Sequence, residues 1–226
     1  MLTILVSVLL PVLANRYLTI RQRLQMSQIF AVAISLSVVG WVAIEVAVGE
    51  FDLQQDLPLD ICYSAALLAP VLMWEPTLRM HEVLYFAVLA GTLQAVLTPD
   101  LMYGFPHYSF FRYWVVHSGL VAYVIYVTWS LKLFPDIRGL FRAFGWLNLY
   151  AAVMFVLNLV IGSNYMFVMR KPETPSLLDL FGPWPWYILV CEFAALGIFV
   201  IVWLPVALRS RLAATRDSCN VSAREA

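Results

Sequence analysis

The stretch QIFAVAISLSVVGWVAIEVAV, Gln28–Val48, decides the fold. It holds one charge, Glu45, close to its end. A helix rises about 1.5 Å per residue, so roughly 20 apolar residues cross the roughly 30 Å of a bilayer's hydrocarbon. A helix on a soluble core shows one apolar face, whereas this stretch is apolar all round. The whole chain has the same character. Of 226 residues, 62% are apolar and 12% charged, against about a quarter charged in soluble domains.

Six further stretches read as membrane helices: Leu2–Ile20, Leu59–Trp74, Val83–Thr98, Phe111–Leu133, Phe144–Phe167 and Trp184–Leu208. The expectation is an all-α polytopic membrane protein of about seven transmembrane helices, packed as a bundle or barrel. Residues 1–208 form the single transmembrane domain, and 209–226 a polar, disordered cytoplasmic tail. The first stretch is the weakest, because its apolar run stops near Ala14 and Asn15 and Arg16 follow. No Lys or Arg precedes it, which is a poor fit to a secretory signal. Asn220-Val221-Ser222 matches a glycosylation sequon by chance if the tail is cytoplasmic.

Orientation follows from loop charges, since Lys and Arg gather on the cytoplasmic side. Arg16, Arg21, Arg23, Arg79, Lys132, Arg138, Arg142, Arg209, Arg211, Arg216 and Arg224 fall on one side, and only Arg112, Arg170 and Lys171 on the other. The N-terminus is therefore expected outside and the C-terminus inside, in the cell (plasma or inner) membrane. The 14 basic and 14 acidic residues balance, so no electrostatic case exists for nucleic acid. Cys62, Cys191 and Cys219 fit neither a disulfide scaffold nor a zinc spacing.

Polar groups are costly in hydrocarbon, so their placement is informative. With helix directions assigned, Cys62, Gln94, Thr98, Asp100, His117, Asn158, Asn164, Tyr165, Tyr187, Glu192 and Glu45 all fall toward the outer side. The inner half offers little beyond Ser35 and Ser37. One outward polar cavity above a dry floor is expected. Each residue also has a plainer reading: a buried Cys fills space, Asn and Gln tie helices together, and Trp184 and Trp186 form an interfacial belt. Glu45 and Glu192 are harder to dismiss, because an intramembrane carboxylate needs a partner or a proton.

Within such a cavity Cys62 is the best nucleophile, and an imidazole would help it reach the thiolate. His117 is the histidine placed inside the membrane; His81 is read in an inner loop and His107 in an outer one. Asn158, Asn164, Gln94, Tyr165 or Tyr187 could orient the imidazole or donate to an oxyanion. Thr98 is a rival nucleophile at similar depth. No metal site, phosphate loop or dinucleotide fingerprint is read, and no cofactor is expected.

These residues also carry a resemblance. Leu57-Pro58-Leu59-Asp60-Ile61-Cys62 is similar to the Leu-Pro-Leu-x-x-Cys lead-in of the YwaF-like bacterial membrane proteins. Gln94-Ala95-Val96-Leu97-Thr98-Pro99-Asp100 and the run Tyr113 to His117 resemble that family's middle block. Asn164-Tyr165-Met166-Phe167, Lys171-Pro172, Ser176-Leu177-Leu178-Asp179 and Gly182-Pro183-Trp184-Pro185-Trp186-Tyr187 resemble its last. The eukaryotic relative is the transmembrane protein 164 family, which looks like a lipid acyltransferase using a Cys and a His. Cys62 and His117 match those positions. More distant similarity runs to the androgen-induced lipid hydrolases, which use Thr and His, and the fatty-acid elongases share the idea of a helical barrel with an acyl tunnel.

Two functions compete. The first is a membrane acyltransferase or lipid hydrolase acting on a phospholipid or fatty-acyl ester through Cys62 and His117 facing the outer leaflet. It requires the two side chains to approach hydrogen-bond reach. The second is a non-catalytic lipid- or solute-binding protein or transporter component. Transporter sites favour the midplane between repeats, and no repeat is read here.

Overall fold

The computed structural model describes residues 2–97, 99, 101, 104–173 and 176–225, without the side chains of 2, 4 and 210–225. Among them the chain is helical, with no strand. Seven helices follow one another: α1 Leu2–Tyr17, α2 Ile20–Val48, α3 Ile61–Leu72, α4 Leu78–Leu97, α5 Tyr108–Ser130, α6 Ile137–Ile161 and α7 Trp186–Glu225. Short 3-10 turns at Tyr165–Phe167 and Leu177–Phe181 lie between α6 and α7.

Five of the seven are long and apolar enough to cross a membrane: α2, α4, α5, α6 and the Trp186–Arg209 part of α7. α1 and α3 are shorter apolar helices. At about 1.5 Å per residue, α3 reaches only about 18 Å, less than a hydrocarbon core. Where about seven spans are expected, the described residues hold five helices of spanning length and two shorter apolar ones. The large apolar side chains left exposed on α1, α2, α6 and α7 are those of a surface that meets lipid, including Leu5, Val12, Ile29, Leu36, Val156, Val160, Phe193 and Ile201. The protein is a multi-pass membrane protein.

Helix boundaries differ from the apolar runs because caps set them. Thr19 begins α2, its hydroxyl accepting the Gln22 N–H while the Gln22 side chain returns to the Thr19 N–H. α2 therefore starts at Ile20, and Arg21 and Arg23 sit on its first turn instead of in a loop. Thr77 caps α4 by accepting the Met80 N–H at 3.3 Å, which puts His81 on the helix and corrects its placement in a loop. Asp136 caps α6 through the Gly139 N–H at 2.7 Å. That helix ends at Gly162, whose φ of 72° is the left-handed conformation glycine adopts without strain. Tyr165 and Phe167 consequently lie beyond α6. The backbone of α7 continues through Glu225, across the segment expected to be a tail.

Side-chain contacts give the topology. Thr3 meets Ser118 at 2.9 Å and Asn15 donates to the Trp129 carbonyl at 3.1 Å, so α1 runs parallel to α5. α2 is antiparallel to α5: Tyr126 reaches the Arg23 carbonyl and Arg112 lies over Trp41. α4 is also antiparallel to α5, joined at His81–Thr128 and Tyr113–Ala95. α5 is the centre, its Val116, Leu120, Tyr123, Val124 and Val127 fully buried. Alanines at 65, 66 and 69 bring α3 close to its neighbours. α6 and α7 pack on the far side of α4, through Phe86, Phe144 and Phe199.

Candidate active site

α3 enters the bundle at the end where α2 and α4 finish and α5 begins. Cys62, in the first turn of α3, is partly buried against the core. Its sulfur accepts a hydrogen bond from the Thr92 hydroxyl at 3.3 Å. Thr92 is fully buried and closes a π-helical segment, Val88–Thr92, inside α4. Such a turn carries one extra residue and recurs at functional sites. Beside it, a Cβ on Gly91 would stand 3.0 Å from Ile61 Cγ2, so the missing side chain lets α3 and α4 approach at Cys62's level.

His117, on α5, is buried, at 6% exposure. Its Nδ1–H donates to the Tyr113 carbonyl one turn earlier, at 2.8 Å. Nδ1 therefore carries the proton, and Nε2 keeps the lone pair a base needs. Tyr113 stacks on the imidazole at 4.1 Å between centroids and anchors its own hydroxyl on the Ala95 carbonyl. Tyr63, the neighbour of Cys62, presents a ring edge to His117 at 6.0 Å. α3 thus meets the π segment through Cys62 and Thr92, and meets α5 through the adjacent Tyr63 and His117. No hydrogen bond joins Cys62 to His117 directly.

The remaining candidates fall into separate groups. Gln94 is exposed on the last turns of α4, and Thr98 and Asp100 lie outside the described residues. Asn158, Asn164, Tyr165 and Tyr187 build one lattice. Asn158 accepts from Ser163 Oγ and the Tyr165 N–H and donates to the Tyr165 carbonyl. Asn164 accepts from the N–H groups of Met169 and Arg170 and donates to the Arg170 carbonyl. Tyr187 donates to the Phe167 carbonyl. Met166 and Phe167 hold φ of 59° and 53°, left-handed values that a non-glycine residue keeps only when its surroundings fix it.

That lattice clasps the lead-in to α3. The Tyr165 hydroxyl accepts the Leu57 N–H and donates to the Leu53 carbonyl, both at 2.9 Å. The Met166 N–H donates to Asp60 Oδ1 at 3.0 Å. Tyr150, on α6, reaches Ser64 and the Leu59 carbonyl. The conformation of residues 53–64, and with it the position of Cys62, is fixed from the α6–α7 connection. Glu192 stands apart, accepting from Asn148 Nδ2 at 2.9 Å where α7 meets α6.

The expected dry floor is corrected. At the opposite end of the bundle His81 and Glu82 are buried to within 1%. Thr128 donates to the Val124 carbonyl, so His81 Nε2–H donates to Thr128 Oγ1 at 2.8 Å. Glu82 pairs with Arg142 and accepts the Asp136 N–H. The apolar-run reading missed this cluster by starting the fourth helix at Val83, and Thr77 was the signal for the earlier start. Thr92, Tyr63, Tyr113 and Arg112 were also not singled out as site residues. Of these only Arg112 carries a signal, a cation inside an apolar helix.

Among the described residues, no group of three or more His, Cys, Asp or Glu side chains could hold a metal ion. The model of one family, the TMEM164 family, matches residues 1–203. No curated protein and no solved structure matches the chain.

Proposed function

The chain belongs to the TMEM164 family, and from that premise we propose that it is a membrane-embedded enzyme handling lipid acyl chains, an acyltransferase or lipid hydrolase with Cys62 as nucleophile and His117 as base. The observation that carries this reading is two hydrogen bonds, one to Cys62 and one from His117, on neighbouring helices. Thr92 donates to Cys62 Sγ, which suits a sulfur becoming a thiolate, and Tyr113 holds the His117 proton on Nδ1, which leaves Nε2 as the base.

The chemistry balances without a cofactor. His117 Nε2 takes the proton from Cys62, and the thiolate attacks the ester carbonyl carbon of a phospholipid or fatty ester. The carbon–oxygen bond to the leaving alcohol breaks, and the imidazolium returns its proton to that oxygen. A second hydroxyl, deprotonated by His117, attacks the thioester and frees the thiol. A lipid hydroxyl makes the reaction a transfer, and water makes it a hydrolysis. Apo hydrogen bonds of this kind often tighten only once substrate binds, which is compatible with the unjoined Cys62 and His117. In the same reading α1 and α3 complete seven crossings, and the site opens to the outer leaflet of the cell membrane.

The test is labelling of the purified protein with an acyl-type activity probe, with the modified peptide identified by mass spectrometry. Label on Cys62, absent from Cys62→Ala and lost or greatly slowed in His117→Ala, is the expected result. Equal labelling in His117→Ala would sink the pair. Label on Thr98 would transfer the nucleophile's role to that residue.

A further inference from the structure

Arg112 lies in the second turn of α5, one turn after Tyr108 on the same face. Its guanidinium carbon sits 3.8 Å from the centre of the Trp41 ring and 5.3 Å from that of Tyr63. Those two rings stack on each other at 5.7 Å. The rings explain how the cation is held over an apolar wall, but they use only its face. Two of its donors are left over: Nε and Nη1 are buried and have no hydrogen-bond partner, and the buried Tyr108 hydroxyl has none either. The carboxylate within reach of this corner, Glu45, accepts the Trp41 indole N–H at 2.9 Å. The ion pairs among the described residues are Arg142–Glu82 and Lys171–Asp179, so Arg112 has no carboxylate partner. Buried donors left unmade are destabilising, and Arg112 and Tyr108, neighbours on one helix face, together hold three of them, which describes a place for an oxyanion.

We propose that Arg112 and Tyr108 form a subsite for the phosphate of a phospholipid headgroup. The guanidinium offers charged N–H donors to phosphate oxygens, and the Tyr108 hydroxyl supplies a further hydrogen bond. The position suits a lipid. Arg112 is in the first turns of α5, where a headgroup meets the bundle, and His117 is five residues deeper, about 7.5 Å along the helix axis. A glycerophospholipid bound by its phosphate at Arg112 would extend its glycerol ester groups toward Tyr63, Cys62 and His117. A neutral diacylglycerol would leave donors unmatched, and a free fatty acid would spend its carboxylate on Arg112 and bring no ester to Cys62. The subsite rests on the lipid-substrate reading above, but binding through it does not require Cys62 to react.

The experiment measures equilibrium binding to the full chain in detergent micelles. The probes are short-chain phosphatidylglycerol, the diacylglycerol with the same chains, the matching fatty acid and inorganic phosphate. Phosphatidylglycerol is expected to bind best. Arg112→Gln should weaken that binding by about 10- to 100-fold and Tyr108→Phe by about fivefold, the range for a charged and a neutral hydrogen bond. Neither change should alter the weak binding of diacylglycerol. If Arg112→Gln does not fold, Tyr108→Phe still tests the subsite, since it removes one hydroxyl that bonds to nothing in the protein. Unchanged phosphatidylglycerol affinity in the folded variants overturns the proposal. So does equally tight binding of diacylglycerol or fatty acid. Inorganic phosphate bound as tightly, with the same dependence on Arg112, would make this a free-anion site and overturn the lipid assignment. Cys62→Ala separates the two readings: loss of probe labelling with phosphatidylglycerol binding intact supports both. Persistent labelling in Cys62→Ala, with Arg112-dependent binding intact, would remove the Cys62 chemistry and leave the subsite standing.

Discussion

Thr92 acts on Cys62 through one hydrogen bond to sulfur, at 3.3 Å, and that bond has a measurable consequence. Thr92→Val keeps the side chain's shape and removes the donor, while Thr92→Ser keeps the donor. Probe labelling of Cys62 at fixed pH should slow by about five- to tenfold in the valine variant and return in the serine variant, as expected for one lost hydrogen bond. Equal rates in both would show that the threonine merely fills space. At this scale the sequence is a partial guide. Cys62 and His117 stand out as residue types, because a thiol and an imidazole are the groups there able to attack and to take a proton. Thr92 does not, since nothing in the run Val88-Leu89-Ala90-Gly91-Thr92 tells its register apart from an ordinary helix. The same limit holds for the Nδ1–H of His117, whose tautomer depends on where the Tyr113 carbonyl points.

Helices α4 and α6 are tied near their first turns by Glu82 and Arg142. Glu82 is 1% exposed and Arg142 about a third exposed, so the carboxylate is the member that depends on the pair. The fit is close, because a Cβ added at Gly139 would run into the Glu82 carboxyl group. Arg142→Met strands a buried carboxylate. It should destabilise the protein by about 2–3 kcal/mol, below the full 3–5 kcal/mol of a wholly buried pair because Arg142 remains partly solvated. Thermal unfolding in detergent measures it, and Arg142→Lys should recover part of the loss. A variant melting with the parent would mean the pair is screened despite its burial. Caps explain why element boundaries were only half legible. Apolar runs mark where a helix meets lipid, whereas Thr19, Thr77 and Asp136 mark where its backbone begins. Between the two lie the polar first turns that carry Arg21, His81 and Arg142.

For the whole molecule, the excess of Lys and Arg at one end predicts that this end faces the cytoplasm. A single cysteine at Lys132, in a chain whose native cysteines are serine, should react with a membrane-impermeant maleimide only after the membrane is opened. One at Gln55 should react in intact cells, and the reverse pattern would invert the topology. Lipid as solvent, helices as elements and their rough number are written in the sequence. They follow from runs of apolar residues, which need no partner to declare themselves. Two expectations fared differently because they depend on contacts. The single polar side of the bundle gave way to a second buried cluster around His81 and Glu82. Asn158, Asn164, Tyr165 and Tyr187, read as cavity residues, bond mainly to the backbone and brace the lead-in to Cys62. Sequence alone determined a helical membrane protein with a thiol and an imidazole near one end. Tertiary structure decided which donor reaches the sulfur, which nitrogen of His117 keeps its lone pair, and that Arg112 lies on Trp41 with two donors unpaired. The physical reason is distance along the chain: the Thr92 hydroxyl is 30 residues from Cys62, and only packing brings such groups to hydrogen-bonding range.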